Sequence, residues 1–413
     1  MNPTTIAVTV VELANEGRFT DIEARFAKRL RKAVSARSLR ADWTAALGAI
    51  TTIGEPTTEP SDAGLVRVSV PVIAERGPHD VVMSVDDNGT LHGLRLTRSA
   101  LAWQSPSYAD PTRFAEQDIV LAAPPVDVAG TLTVPIGPGP WPAAVLLSGG
   151  GPFDRDETSG VNKPLKDLAW GLASRGVAVI RFDLVTHARP EFISAPGFTM
   201  SQEYVPHALT GVRLLRQQST VDSTRIFLVG HSMGGRVAPR IAAADTTIAG
   251  LVVLAGDASP MHHSAARVAR RLAALDPDLI PQTMLDQIDE QIAFIEGPDL
   301  SPTTPAADLP FGWPGSYWLE LRDDDPVSTA AALGKPMFIA QGARDYQVTV
   351  ADDLTRWQTG LADQDNVTFA IYDADDHLFF PGDGPSTPAS YAPAQHVDEA
   401  LITDVATWLT LPR

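Results

Sequence analysis

Five residues, Gly230-His231-Ser232-Met233-Gly234, constrain this chain more than any other stretch. An apolar run, Ile226-Phe227-Leu228-Val229, leads in and reads as a buried strand, and residues 235–244 lead out with helical periodicity. Glycine-x-serine-x-glycine between a strand and a helix is the pattern of a tight, strained turn that lifts a serine hydroxyl above a sheet edge. Side chains at the flanking glycines would collide with the neighbouring strand and helix. The same turn aims backbone N–H groups and a helix N-terminus at one point, where a developing oxyanion can be held.

The sequence around this turn repeats the strand-then-helix alternation. Strands are expected at 119–122, 126–134, 143–147, 177–182, 225–229, 248–254, 336–341 and 367–372, and helices at 165–175, 203–217, 235–244, 351–361 and 397–409. Continuous Val/Ile/Leu strands separated by helices imply an α/β fold, with a mostly parallel sheet flanked by helices on both faces. The alternation stops at about 257–333, where helical stretches and Pro-rich turns read as a small helical cap inserted above the sheet. Residues 1–98 read as a separate α+β domain. Helical periodicity runs over 6–48, followed by strands at 65–74, 81–85 and 91–97, the last two joined by the hairpin turn Asp86-Asp87-Asn88-Gly89. This domain carries His79 and His92 but no grouped chemistry, so a structural or substrate-shaping role is expected. A polar stretch over 99–115 reads as a linker, and 116–413 as the catalytic domain.

Composition excludes several classes. A chain of 413 residues has room for two folded units, and 44% hydrophobic with 20% charged residues is ordinary for a globular protein. The net charge of −18, with no Lys/Arg-rich stretch to offset it, repels phosphate backbones and anionic lipid, so neither nucleic acid nor membrane is an expected partner. There is no cysteine, which removes disulfides, thiolate metal sites and a cysteine nucleophile. The N-terminus lacks the basic and apolar regions of a signal peptide and no apolar run reaches membrane-spanning length, so a cytoplasmic location is expected. Oligomeric state leaves no mark in the sequence.

Ser232 needs a base. His377 lies in Asp373-Ala374-Asp375-Asp376-His377-Leu378, directly after the last expected strand. His231 is locked in the turn, His262 and His263 lie in the insertion, His396 opens the final helix, and His187 and His207 precede the serine. The orienting acid is expected after the preceding strand, where Gly342-Ala343-Arg344-Asp345 supplies Asp345. Its rivals Asp373, Asp375 and Asp376 read as solvent-facing or turn-forming residues. Nucleophile, acid, base is the chain order that accompanies a serine on such a turn. The oxyanion donors are expected from Met233, just after the nucleophile, and from Gly150 or Gly151 in Ser148-Gly149-Gly150-Gly151-Pro152, since Pro152 has no N–H. A phosphate cradle fails as a rival, because no Lys-Ser/Thr pair closes the loop and no GxGxxG pattern is present. The chemistry calls for no metal and no organic cofactor.

Further stretches carry a resemblance: Gly150-Gly151-Pro152-Phe153-Asp154-Arg155-Asp156-Glu157, Lys163-Pro164-Leu165-Lys166-Asp167-Leu168-Ala169, Gln341-Gly342-Ala343-Arg344-Asp345-Tyr346-Gln347-Val348 and His377-Leu378-Phe379. With the serine turn, they make nearly the whole chain resemble bacterial α/β-hydrolase serine esterases of the dienelactone-hydrolase-like group, preceded by a small N-terminal domain of unknown function. The resemblance implies the α/β-hydrolase fold, action on a small-molecule carboxylic ester, and triad positions for Ser232, Asp345 and His377. It also implies a cap containing Ser316-Tyr317-Trp318, which makes Tyr317 and Trp318 candidate substrate contacts. Asp154, Arg155 and Glu203 read either as a buried ionic cluster bracing the oxyanion loop or as a solvated charge cluster. Two departures leave substrate preference open: Leu184-Val185-Thr186-His187 replaces the usual Lys-Arg after Asp183, and Asp-Asp replaces Gly-x-Asn before His377. The same triad serves thioesterases, lactonases, amidases and acyltransferases or cyclases. A non-catalytic binding protein on this scaffold usually lacks a triad member, and here all three are present.

Overall fold

The computed structural model describes residues 3–54, 56–60, 65–75, 77–98, 103–276 and 280–412. The chain divides into two compact units, Met1–Trp103 and Gln104–Arg413. In the first, helices Pro3–Asn15, Phe19–Glu23, Lys28–Ala33 and Ala36–Ala46 precede a five-stranded antiparallel sheet. Alternate residues of its central strands, Val68, Val70 and Val72 with Val81, Met83 and Val85, are buried with Val10, Leu39 and Trp43. The expected hairpin turn forms where Asp86 accepts hydrogen bonds from the amides of Asn88 and Thr90. Two short strands, Ile50–Ile53 and Thr57–Pro60, were not foreseen, because Thr-rich segments of four residues carry no apolar alternation.

The expected linker over 99–115 lies partly outside the described residues, at 99–102. Its end is ordered rather than loose. Asp110 caps a 3-10 turn at Pro111–Arg113, and a strand begins at Phe114, zipped antiparallel to the next strand from Phe114↔Pro135 to Leu121↔Val128.

The second unit is built on an eight-stranded sheet. Its strands are β1 (Phe114–Leu121), β2 (Val128–Pro135), β3 (Trp141–Leu147), β4 (Ala178–Phe182), β5 (Val221–His231), β6 (Leu251–Leu254), β7 (Met337–Gly342) and β8 (Val367–Tyr372). Their order is β8-β7-β6-β5-β3-β4-β2-β1, with β3 to β8 parallel and β2 running against both neighbours. Each expected strand is present, since strands buried on both faces read as unbroken apolar runs. Helices α1 (Pro164–Ala173), α2 (Met200–Arg216) and α3 (Met233–Ala244) follow β3, β4 and β5 in the chain. Between β6 and β7 lie α4 (Met261–Leu275), α5 (Gln282–Glu296), α6 (Gly315–Asp323) and α7 (Pro326–Leu333), and α8 (Glu399–Thr410) closes the chain. Alternation along β3 separates the two cores. Ala143, Val145 and Leu147 pack with Tyr204 and Val212 of α2 and Val237 of α3, whereas Ala144 and Leu146 pack with Leu168 of α1 and Ile402 of α8. No described helix is long and apolar enough to cross a membrane.

Arg236, in the first turn of α3, is fully buried and fastens the helix to the inserted segment. Its guanidinium donates to Asp324 Oδ2 at 3.0 Å, to the Asp324 carbonyl at 2.8 Å and to the Ser259 carbonyl at 2.7 Å, and pairs with Asp257 at 3.4 Å. Burial raises the Asp257 carboxyl to about 6, against the opposing pull of Arg236. Removing one partner of a buried ion pair costs about 3–5 kcal/mol, because the remaining charge is left unpaired. Arg236→Met should therefore lower the melting temperature of this unit sharply in a thermal unfolding scan, whereas an exposed substitution such as Arg356→Met should leave it within a degree or two.

Candidate active site

Ser232 lies between β5 and α3 with φ 51° and ψ −118°, a strained conformation for a residue bearing a Cβ. Its amide donates to the Leu254 carbonyl at 2.9 Å, which pins the turn to the end of β6. Met233 opens α3, so its N–H has no acceptor within the helix.

The candidate acid and base, Asp345 and His377, lie in loops after β7 and β8. Asp345 follows β7 and is buried with four donors on its two oxygens. Oδ1 takes the amides of Gln347 (2.7 Å) and Val348 (3.0 Å), and Oδ2 takes the Gln341 side chain (2.9 Å) and His377 Nδ1 (2.7 Å). A carboxylate only accepts, so His377 carries its proton on Nδ1 and leaves Nε2 free to act as an acceptor. Ser232 and His377 line one cavity of about 390 Å³, although the hydroxyl and the ring are not hydrogen-bonded to each other. Such contacts tighten on substrate binding. Gln341 escaped the sequence reading of the acid. It sits in the same motif as Asp345 and also donates to the Val348 carbonyl at 2.8 Å, holding the turn shut.

The loop after β3 reaches Met233. A Cβ on Gly150 would lie 3.4 Å from Met233 Cβ, so the two backbones approach closely there. Among the described residues the amides of Gly150 and Gly151 donate to no protein acceptor. Gly150 lines the cavity of Ser232 and His377, while Gly151 and Tyr317 line a neighbouring one of about 260 Å³ with Phe198, Phe311 and Trp313. Trp318 is fully buried near Phe311, Trp313 and His262 and lines none of the cavities around Ser232.

The Asp154–Arg155–Glu203 cluster does not form. Asp154 accepts from Thr158, Arg155 pairs with Asp183 and Asp118, and Glu203 accepts from the Thr186 amide and hydroxyl, each at 3.0 Å. Burial raises the Glu203 carboxyl to about 7. The residue that braces the oxyanion loop is Glu157, whose Oε1 accepts the Gly149 amide at 2.7 Å, while the Tyr204 hydroxyl donates to the Gly149 carbonyl at 2.8 Å. Glu157 lay within the quoted Asp-Arg-Asp-Glu stretch, but an acidic residue in a polar loop reads as solvated, and its partners are distant in sequence.

Of the acidic residues before His377, Asp373 is exposed and Asp376 forms the local turn, accepting from the amides of Leu378 and Phe380. Asp375 departs from expectation. It is fully buried, and neither carboxyl oxygen has a hydrogen-bond partner among the described residues. Burial, with Asp398 and Asp376 nearby, raises its carboxyl to about 8. The folded state therefore keeps a proton that the unfolded chain releases near pH 4. Stability falls as pH rises from about 4 to 8, where the unfolded chain binds fewer protons than the folded one. Asp375→Asn should raise the melting temperature at pH 9 by several degrees and change it little at pH 4, as thermal scans across that range would show.

Beyond Ser232 and Met233 opens a cavity of about 540 Å³ between α4 and α5, lined by apolar residues including Val268, Ala269, Leu272, Met284, Ile288 and Ile292. His262, His263 and Glu296 place ligating atoms within 4.8 Å of one another, but two of the three are exposed, and the pairing of His263 with Glu296 at 2.9 Å accounts for the cluster without an ion.

The profile of the alpha/beta hydrolase family matches residues 144–394. The chain is 33% identical over 336 residues to Esterase EstD of Thermotoga maritima, spanning 81% of this chain and 77% of that protein. Among solved structures it is similar to Est1E from Butyrivibrio proteoclasticus (15% identity, TM-score 0.47, covering 71% of this chain and 98% of that one). It is similar also to an esterase from Pyrococcus furiosus (17% identity, TM-score 0.44, covering 72% and 92%).

Proposed function

The chain belongs to the alpha/beta hydrolase family and is a carboxylic ester hydrolase, and we propose that it works through an acyl-enzyme on Ser232. The observation that carries this reading is the buried Asp345–His377 pair, in a cavity lined by both His377 and Ser232; with Nδ1 held by Asp345, Nε2 is the ring nitrogen left for the serine. His377 Nε2 takes the hydroxyl proton as Ser232 Oγ attacks the ester carbonyl carbon. The amides of Met233 and Gly150 receive the developing oxyanion, since both are free and their backbones converge. Gly150 is preferred to Gly151 because it lines the cavity of Ser232 and His377. His377 then returns the proton to the departing alcohol. In the second half, His377 takes a proton from water as the water oxygen attacks the acyl carbon, and protonates Ser232 as it leaves. Asp345 fixes the tautomer throughout and stabilises the imidazolium.

The apolar cavity between α4 and α5 is assigned to the acyl chain. Among the described residues its wall holds no Lys or Arg, so a neutral hydrocarbon suits it and an acyl group ending in carboxylate does not. With p-nitrophenyl esters, kcat/KM should rise from acetate to medium-length chains. Ala269→Phe should shift that preference to shorter chains while leaving acetate turnover within about threefold, since one or two methylenes in a pocket are worth about 1–3 kcal/mol. Ser232→Ala should reduce kcat by at least about 10⁴-fold across the series, and near-normal turnover in that variant would refute the nucleophile.

A further inference from the structure

One buried pair of side chains ties together three loops of the site. His231, the residue before Ser232, has Nδ1 2.8 Å from Glu157 Oε1 and Nε2 2.8 Å from the main-chain carbonyl oxygen of His377. The same Glu157 oxygen accepts the Gly149 amide at 2.7 Å. Both residues are buried, and Glu157 holds φ 54°, a left-handed conformation that a residue with a side chain keeps only when its surroundings enforce it.

The partners decide the protonation state. A neutral imidazole has one N–H and one lone pair. Nε2 faces a carbonyl, which only accepts, so Nε2 bears a proton. Nδ1 faces an oxygen already receiving the Gly149 N–H in a short contact of the kind an ionised carboxylate makes. We propose that His231 is a permanent imidazolium, ion-paired with Glu157, and that this pair is the positioning device that sets the oxyanion loop and the base loop against the nucleophile. Burial opposes the charge on His231, but the Glu157 carboxylate, its hydrogen bond and the His377 carbonyl outweigh that and hold the imidazole above its ordinary value.

The role follows from connectivity and rests on the triad reading given above. Glu157 holds the Gly149 N–H while the Tyr204 hydroxyl holds the Gly149 carbonyl, and together they set the direction of the next amide, that of Gly150. His231 fixes the backbone of His377. The two imidazole rings lie 4.8 Å apart between centroids, so a bare cation on His231 would resist protonation of His377 during the reaction. Glu157 neutralises it. Without Glu157, burial either drives the Nδ1 proton off His231 or leaves its charge unanswered, and both break the tie between the loops. Gln at both positions puts a donor and an acceptor back, so losing Glu157 alone is worse than replacing the pair.

Two measurements test this. In protein labelled with ¹⁵N in the histidine rings, long-range ¹H–¹⁵N spectra at pH 8 should show one histidine, missing from a His231→Gln sample, with both ring nitrogens protonated. A wild-type spectrum with no doubly protonated histidine, or a doubly protonated histidine that persists in the His231→Gln sample, would overturn the proposal, and the first of these outcomes needs no folded variant. In kinetics, Glu157→Gln should lower kcat about 10–100-fold with KM within threefold, the scale of a small misplacement of catalytic groups. The double variant Glu157→Gln/His231→Gln, which restores a neutral donor–acceptor chain, should regain about tenfold of that loss. A double variant as poor as the product of the two single losses would contradict the pairing. Turnover retained by Ser232→Ala would overturn the triad instead and leave the spectroscopic answer standing.

Discussion

At Gly234 a Cβ would lie 2.3 Å from the Leu147 carbonyl oxygen, and at Gly230 one would lie 2.2 Å from the Gly234 carbonyl oxygen. No side chain fits at either point, so β3, β5 and α3 meet more closely there than side chains permit. Three consequences follow from that contact. Ser232 is held at positive φ, the Met233 amide is left at a helix N-terminus without an acceptor, and the loop leaving β3 is brought beside that amide. Mostly parallel strands then deliver the loops after β7 and β8 to the same sheet edge, where ligands of open α/β sheets bind.

The hydrogen bonding of Asp345 and Asp376 shows how a protein of net charge −18 places two carboxylates near its chemistry without a Lys or Arg on either. All four donors to Asp345 are amides or the imidazole, and both donors to Asp376 are backbone amides. Neutral donors stabilise the ionised acid while leaving its field directed at His377, which is what an orienting acid requires. Arg236 shows the opposite arrangement, with a full positive charge enclosed by Asp324, Asp257 and main-chain carbonyls in a contact that holds helix and insertion together.

Much of this was legible in the sequence because it depends on local pattern. Eight apolar runs became eight strands, and the glycine spacing around Ser232 has a steric cause that needs no knowledge of the rest of the chain. Asp345 and His377 followed from their places after successive strands. What escaped depends on partners remote in sequence. Glu157 meets His231 across 74 positions, and Glu203 turned inward to cap the Thr186 turn instead of joining Asp154 and Arg155. The resemblance implies a cap that makes Trp318 a candidate substrate contact, yet aromatic neighbours bury it completely. Asp375 reads as solvent-facing or turn-forming, and only the packing of the loop before His377 shows its carboxyl sealed without a partner among the described residues.

The central claim is that the hydroxyl of Ser232 becomes covalently bonded to the substrate. The most direct measurement is intact-mass analysis and peptide mapping after treatment with a p-nitrophenyl alkylphosphonate, which a serine activated in an oxyanion hole attacks at phosphorus. One equivalent of adduct on the peptide carrying Ser232, with labelling slowed strongly in His377→Ala, is the predicted result. An adduct on another residue, or labelling of Ser232 at the same rate without His377, would contradict it.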